Sequence, residues 1–362
     1  MQNFVKFKPQ EKGDFLNTLN QRVNLFFKET KKSRNADWRM ILKTFIMFMI
    51  FFVPYGFIVA GVMESGWMIV LLYSMMGVGT AGIGLGVMHD AVHGAYFKSP
   101  KFNKMMGLSM YMIGGSAINW RIQHNVLHHT YTNIDSMDDD ITPKFILRFS
   151  PHTKLRAYHK YQHIYAWFLY TLTTLLWVVS KDIVQLRSFK ERGLLKGQGV
   201  NYTRAMLFVV LSKVVYISYT LVLPLLFSGV GWGFVVSGFI LMHFVAGISL
   251  GVIFQPAHLT EEVAFPLPNE DHKIEKSWAE HQMFTTSNFA NENKIVTWFA
   301  GGLNYQIEHH LYPRVCHVHY KAISKIVRET AAEFKLPYIA NETFIGALKS
   351  HSRTLHYLGT HS

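Results

Sequence analysis

Long apolar runs separated by short polar turns dominate the pattern of this chain. The runs Ile41 to Met63 and Trp67 to Met88, then Ala205 to Phe227 and Val230 to Phe254, each hold close to the roughly 20 residues a helix needs to cross about 30 Å of hydrocarbon. The pattern predicts an all-α integral membrane protein with four transmembrane helices in two hairpins. Lys and Arg are absent from Thr44 to Phe97 and from Val214 to His272, while the first 39 residues carry nine of them. Positive charge is retained on the cytoplasmic side, so both hairpins are expected to begin and end there. The turns Glu64-Ser65-Gly66 and Ser228-Gly229 carry no cation, as suits an outer face. Lys213 interrupts the third run, near enough to the helix start to snorkel toward water.

The segments between the runs read as interfacial helices and a cytoplasmic cap. Phe15, Leu19, Val23 and Phe26 stand at helical spacing in residues 1–40, which predicts an amphipathic helix on the membrane surface. The chain opens on polar residues (Asn3, Lys6, Lys8, Glu11) and not on a short apolar core, which speaks against a cleaved signal peptide. Met105 to Ile118 is apolar but too short to span, so it is expected in the interface. Ile164 to Ser180 is borderline. A fifth crossing would put His309 and His310 on the opposite side from His89, so this segment is expected to lie flat or re-enter. Ile323, Ile326, Val327, Ala331 and Phe334 predict a water-soluble helix ended by Pro337, with a polar tail beyond. No internal repeat is visible. The expected organisation is one domain: an N-terminal segment (1–40), first hairpin (41–88), cap (89–204), second hairpin (205–254), remainder of the cap (255–336) and tail (337–362).

The net charge of +13 is then mostly juxtamembrane and attracts anionic headgroups and an acidic partner; nucleic acid is not expected. Cys316 is the only cysteine, which excludes an internal disulfide and thiolate metal clusters and leaves nitrogen and oxygen as ligands. Histidine supplies them. His89 and His93, then His124, His128 and His129, then His309 and His310 cluster where apolar runs end, and His258 follows the fourth run alone. Spacing of four puts two imidazoles on one helix face, where they can chelate one ion, and the adjacent His129 points about 100° away, toward a second. Eight imidazoles exceed what one ion uses, so two metal ions are implied. Asp90, Asp138, Asp139, Asp140 and Glu308 are candidates for accepting the second N–H of ligating imidazoles. His159 and His163 share the spacing but lie among Lys154, Arg156 and Lys160, and are read as a decoy. His243, inside a span, is read as a neutral, hydrogen-bonded histidine; His281, His317 and His319 are read as neighbours of the site or of substrate. The glycines from Gly77 to Gly86 permit close helix approach.

The segments His89-Asp90-Ala91-Val92-His93, His124-Asn125-Val126-Leu127-His128-His129 and Gln306-Ile307-Glu308-His309-His310, in that order and separated by hydrophobic hairpins, resemble the histidine boxes of the membrane fatty acid desaturases. The likeness runs from about residue 40 to 320. Glutamine opening the third box is similar to front-end desaturases and related bacterial acyl desaturases; many other members have histidine there. The resemblance implies two non-haem irons in a cytoplasmic cap above a kinked acyl tunnel, ligated by His89, His93, His124, His128, His129, His309 and His310, with His258 as the lone histidine after the fourth span. It places Gln306 at a ligand position, and only Gln255 could stand for the asparagine some relatives carry before the lone histidine.

An unactivated methylene offers neither an acidic proton nor a leaving group, so a strong oxidant is required. The implied reaction inserts a double bond into the acyl chain of an acyl-CoA or acyl-lipid, with dioxygen as co-substrate and two electrons from outside. No His-Pro-Gly-Gly cytochrome motif occurs, so a separate ferredoxin, cytochrome or reductase is expected as donor. A hydroxylase or ketolase of the same superfamily is the alternative within enzymes. A metal transporter would carry its histidines at mid-membrane depth, and a haem carrier would leave most of them unexplained.

Overall fold

A computed structural model describes residues 4–141 and 146–361; the polar opening residues 1–3 and residues 142–145 and 362 lie outside the described residues. Among the described residues four helices are long and apolar enough to cross a membrane: α2 (Trp38–Val59), α3 (Gly66–Val92), α7 (Tyr202–Phe227) and α8 (Trp232–His258). They begin and end within a few residues of the apolar runs. Two close approaches knit them together. A Cβ at Gly77 would stand 2.6 Å from the Met242 carbonyl oxygen, and one at Gly79 would stand 2.9 Å from the Phe51 backbone nitrogen. Glycine thus lets α3 lie directly against both α8 and α2.

The cap is built from shorter pieces. α1 (Phe15–Thr30) starts at Asp14, whose carboxylate accepts the Asn17 N–H at 2.9 Å. Its apolar face (Phe15, Leu19, Val23, Phe27) is buried against α11 (Tyr320–Glu333) and not on the membrane surface, because α11 presents the matching stripe of Ile323, Val327 and Ala331. Residues 117–131 form α4, which carries the second histidine group. Ile164 to Ser180 belongs to a bent pair, α5 (Ala157–Thr171) and α6 (Thr173–Glu191), inclined at 58° to one another. The break falls at Leu172. α9 (Trp278–Thr285) begins on a reciprocal Ser277 and Glu280 cap, and α10 (Gln306–Leu311) carries the third group. The expected polar tail is instead largely a helix, α12 (Phe344–Thr360), whose Ala347, His351, Leu355 and Leu358 are buried.

Strands are vestigial. β1 (Lys6–Phe7) pairs in parallel with β2 (Lys273–Ile274), and β3 (Asn288–Phe289) with β4 (Ala340–Asn341), stapling both ends of the chain to the cap. Lys213 does not snorkel: it is buried, bonded to Asp182 of α6 and to the Gly114 carbonyl. The largest apolar cluster lies among α2, α3 and α8 and rises into the underside of the cap.

Candidate metal centre

The first two histidine groups are delivered by local irregularities. Residues Ile83–Met88 form a π-helical turn at the end of α3, immediately before His89. A second π-helical stretch, Arg121–His128, contains most of the second group. Hydrogen bonding to the fifth residue widens the turn and brings residues five apart onto one face. One expectation from α-helical spacing is not met: His124 and His128, four apart, fall in different all-histidine clusters, while His129 stands with its Nε2 3.2 Å from that of His124. α10 is a single buried turn, begun by a bond from the Ile307 N–H to Asn288 Oδ1 and carrying His309 and His310 side by side.

All eight box and lone histidines converge in one buried volume, although they come from four elements. Nitrogen atoms of His89, His93, His124 and His309 lie within 4.8 Å of one another, as do those of His128, His258 and His310, and those of His129, His309 and His310. The arrangement is two lobes, with His129, His309 and His310 between them. His89 Nε2 is 3.1 Å from His124 Nε2, and His128 Nε2 is 3.3 Å from His258 Nε2. Ligands about 2.1 Å from a shared ion and at right angles to each other are separated by about 3.0 Å. Among the described residues, His93 Nε2, His309 Nε2 and His310 Nε2 are buried with no hydrogen-bond partner. Orphaned inward nitrogens are costly unless something electropositive fills the space between them, so the donor set fits metal.

The outward nitrogens of four of the eight imidazoles are held, while Nδ1 of His89 and of His129 has no hydrogen-bond partner among the described residues. His309 Nδ1 is 3.1 Å from the Tyr320 hydroxyl, His310 Nδ1 is 2.8 Å from Gln282 Oε1, and His258 Nδ1 is 3.3 Å from the Thr285 carbonyl. Asp138, fully buried, sits 3.0 Å from His128 Nδ1 and also accepts the backbone N–H groups of Asn133 and Asp140. Such contacts fix the tautomer that leaves Nε2 facing inward. Tyr320, Gln282 and Thr285 carried no local sequence signal, since their role is set by tertiary packing alone.

Other candidates are placed differently. Glu308 is bonded to Asn288 and Tyr338, at 2.8 and 2.9 Å, and does not orient an imidazole; one residue before His309 on the helix, it faces the other way. Asp90 binds His317, its Oδ1 standing 3.9 Å from His89 Nδ1, beyond a hydrogen bond. Asp139 pairs with Arg192, while Asp140 approaches His128 at 3.4 Å. Gln255 lines the cavity beside His258. Gln306 is buried, and neither of its side-chain polar atoms has a partner among the described residues. His159 caps a helical turn through the Arg156 N–H, and His243 lies between Thr174 and Tyr216. His281 contacts the Thr132 carbonyl and His319 the Asn35 carbonyl.

Burial sets the charge states. It holds His93, His129, His309 and His310 well below the ordinary histidine value of 6.5, with mutual repulsion adding to the effect. His124 is pulled down to about 3 by burial, partly offset by Asp140. In His128 burial is overcome by the charges of Asp138 and Asp140, which push it up to about 9. Burial raises Glu308 to about 7. Neutral imidazoles are the form that binds a cation.

A cavity of about 270 Å³ borders the second lobe. One wall carries His124, His128 and His258; the rest is mostly apolar, including Trp120, Trp177, Leu250 and Phe254. Gln123, Asp140 and Lys181 make a polar corner. Ile146 and Leu176, on its rim, are 52% and 48% exposed, so the space communicates with the outside along the bend between α5 and α6.

Comparison with known proteins agrees with this chemistry. A family profile described as fatty acid desaturase matches residues 65–341. The sn-1 linoleoyl-lipid 6-desaturase of Arthrospira platensis is 34% identical over 341 residues, 93% of this chain and 90% of the relative. An acyl-lipid (8-3)-desaturase of Physcomitrium patens is 34% identical over 98% of this chain and 74% of its own. The sn-1 linoleoyl-lipid 6-desaturase of Synechocystis sp. is 32% identical over 98% of both chains. With the profile and these relatives spanning most of its length, the chain belongs to the fatty acid desaturase family, oxidoreductases that act on fatty acyl chains.

Proposed function

We propose that this desaturase acts on an acyl chain still attached to a membrane lipid, at a centre of two irons on the cytoplasmic side, with electrons from a separate acidic carrier. The observation that carries the reading is the pair of buried imidazole lobes with an apolar cavity against one of them. The irons would be held by His89, His93, His124 and His309 in one lobe and His128, His258 and His310 in the other, with His129 between them. Gln306, buried and without a partner among the described residues, is the further candidate donor. A metal pair held there would supply the oxidising chemistry, with dioxygen, two protons and two external electrons consumed as two hydrogens leave neighbouring methylenes and a double bond and two waters are formed.

The chain's own residues prepare that event. Tyr320, Gln282, Asp138 and the Thr285 carbonyl hold the imidazoles with Nε2 inward. Leu250, Phe254, Trp120 and Trp177 bind the alkyl chain beside His124 and His128 and keep water off it; each methylene buried there contributes about 0.8 kcal/mol. A lipid carrier is supported by the relatives' names and by the rim at Ile146 and Leu176, which lies along an apolar, bent helix pair where a bilayer chain can enter sideways. Cytoplasmic placement is supported by the nine cations in the first 39 residues and their absence from the turns between paired spans.

Expression in a host lacking such activity, followed by mass spectrometry of its lipids, tests the reading. New double bonds on intact membrane lipids support it. Activity confined to an acyl-CoA pool refutes the carrier, and hydroxylated or keto products refute the reaction.

A further inference from the structure

A buried polar line runs beneath the first histidine box. Lys43 of α2 is only 2% exposed. Its Nζ is 3.4 Å from His317 Nε2. His317 donates to Asp90 Oδ2 twice, from Nδ1 at 2.8 Å and from its backbone N–H at 3.2 Å. With Nδ1 committed as donor, Nε2 accepts from the ammonium, so the order is fixed: Lys43 to His317 to Asp90. Gly86, in the π-helical turn before His89, makes the room; a Cβ there would stand 2.8 Å from Lys43 Nζ. Cys316 lies beside the same carboxylate, but an ammonium next to His317 disfavours a third metal ion at this cluster.

Among the described residues this buried ammonium has one long hydrogen bond and the Trp298 ring 5.8 Å away, which leaves its burial costly where an apolar residue would suit the span. The charge at this position is placed to act on its surroundings. Asp90 carries the line to within 3.9 Å of His89 Nδ1, close enough for its charge to be felt at the first lobe.

We propose that Lys43 and His317 are positioning residues of the metal centre: they pin the Asp90 carboxylate under His89, and the balance of the two opposite charges sets how readily the first lobe's metal is reduced. This rests on the di-iron reading above. Removing the ammonium leaves the carboxylate less compensated and favours the oxidised metal, so the midpoint potential of Lys43→Met falls. Removing the carboxylate in Asp90→Asn has the opposite effect. A purely structural role would not give shifts of opposite sign.

The experiment uses full-length wild type, K43M, K43R and D90N in nanodiscs, measuring iron per chain, redox titration followed through the metal's spectrum, and turnover. K43M is expected to retain iron, to titrate at lower potential, and to lose about tenfold in kcat with KM unchanged. K43R is expected to recover most of the potential, and D90N to shift upward. If K43M does not assemble, Lys43→Gln carries the same comparison. Iron-loaded, active wild type with an unmoved K43M potential, or K43M and D90N shifting the same way, overturns this inference alone; wild type without iron overturns the underlying reading with it.

Discussion

Asp138→Asn changes one oxygen to an amide at a position where both carboxylate oxygens are in use. Oδ2 accepts from the Asn133 N–H at 3.0 Å and Oδ1 from the Asp140 N–H at 2.9 Å, while both face His128 Nδ1. Either amide orientation therefore sets an NH2 group against a backbone donor. The residue is fully buried, so water cannot repair the loss. Losing a hydrogen bond to a buried charge costs about 1.5 to 3 kcal/mol. The same range follows from metal affinity, where removing an orienting partner costs about 10- to 100-fold, or about 1.4 to 2.7 kcal/mol. In the apoprotein the two carboxylates raise His128 from 6.5 to about 9, worth about 3 kcal/mol. The sign follows: that contribution is fully present below pH 6.5 and is lost as pH rises through about 9. D138N is thus expected to destabilise the metal-free protein more at pH 6 than at pH 10, and to bind metal at least tenfold more weakly at pH 7.5. Thermal melts of the metal-free protein and competition with a chelator read the two effects. Wild-type metal affinity, or a loss of stability that does not change with pH, would refute the assignment of Asp138 as the partner of His128.

Thr173→Trp, at the start of α6, fills the cavity from its wall and replaces no histidine; lipid desaturation is expected to fall at least tenfold while metal per chain is unchanged, measured by mass spectrometry and elemental analysis. Acid has the opposite sign for the depressed histidines. His124, held at about 3, contributes stability that is present above pH 6.5 and lost as pH falls toward 3, so the metal-free protein's melting temperature should drop between pH 7 and pH 5, and metal should be released over the same range. A melting temperature that rises on acidification would contradict the buried, neutral state of the cluster.

The spans and the histidine groups were legible because each is a local pattern: an apolar run of fixed length, or two imidazoles at a fixed spacing. What joins them was not. The π-helical turns at 83–88 and 121–128 leave no compositional trace, yet the second one brings His129 beside His124. Tyr320 and Gln282 reach the site across the cap, by packing that a single sequence does not encode locally. The apolar stripe of α1 was visible, but a stripe does not name what covers it, and here it is α11 and not lipid. The helix Phe344–Thr360 did leave a signal: Ala347, His351, Leu355 and Leu358 recur at helical spacing after a Thr343 cap, obscured by the histidines and serines among them. Asp90 and Glu308 were chosen by adjacency to histidines, and neighbours on a helix point in different directions, which is why one holds His317 and the other Asn288.

Iron stoichiometry of the purified, full-length protein, determined by elemental analysis and Mössbauer spectroscopy, bears most directly on the central claim. Two irons per chain in nitrogen-rich sites are expected, falling to one or none in His310→Ala. A single iron, or stoichiometry indifferent to His310, would contradict a two-iron centre built from these imidazoles.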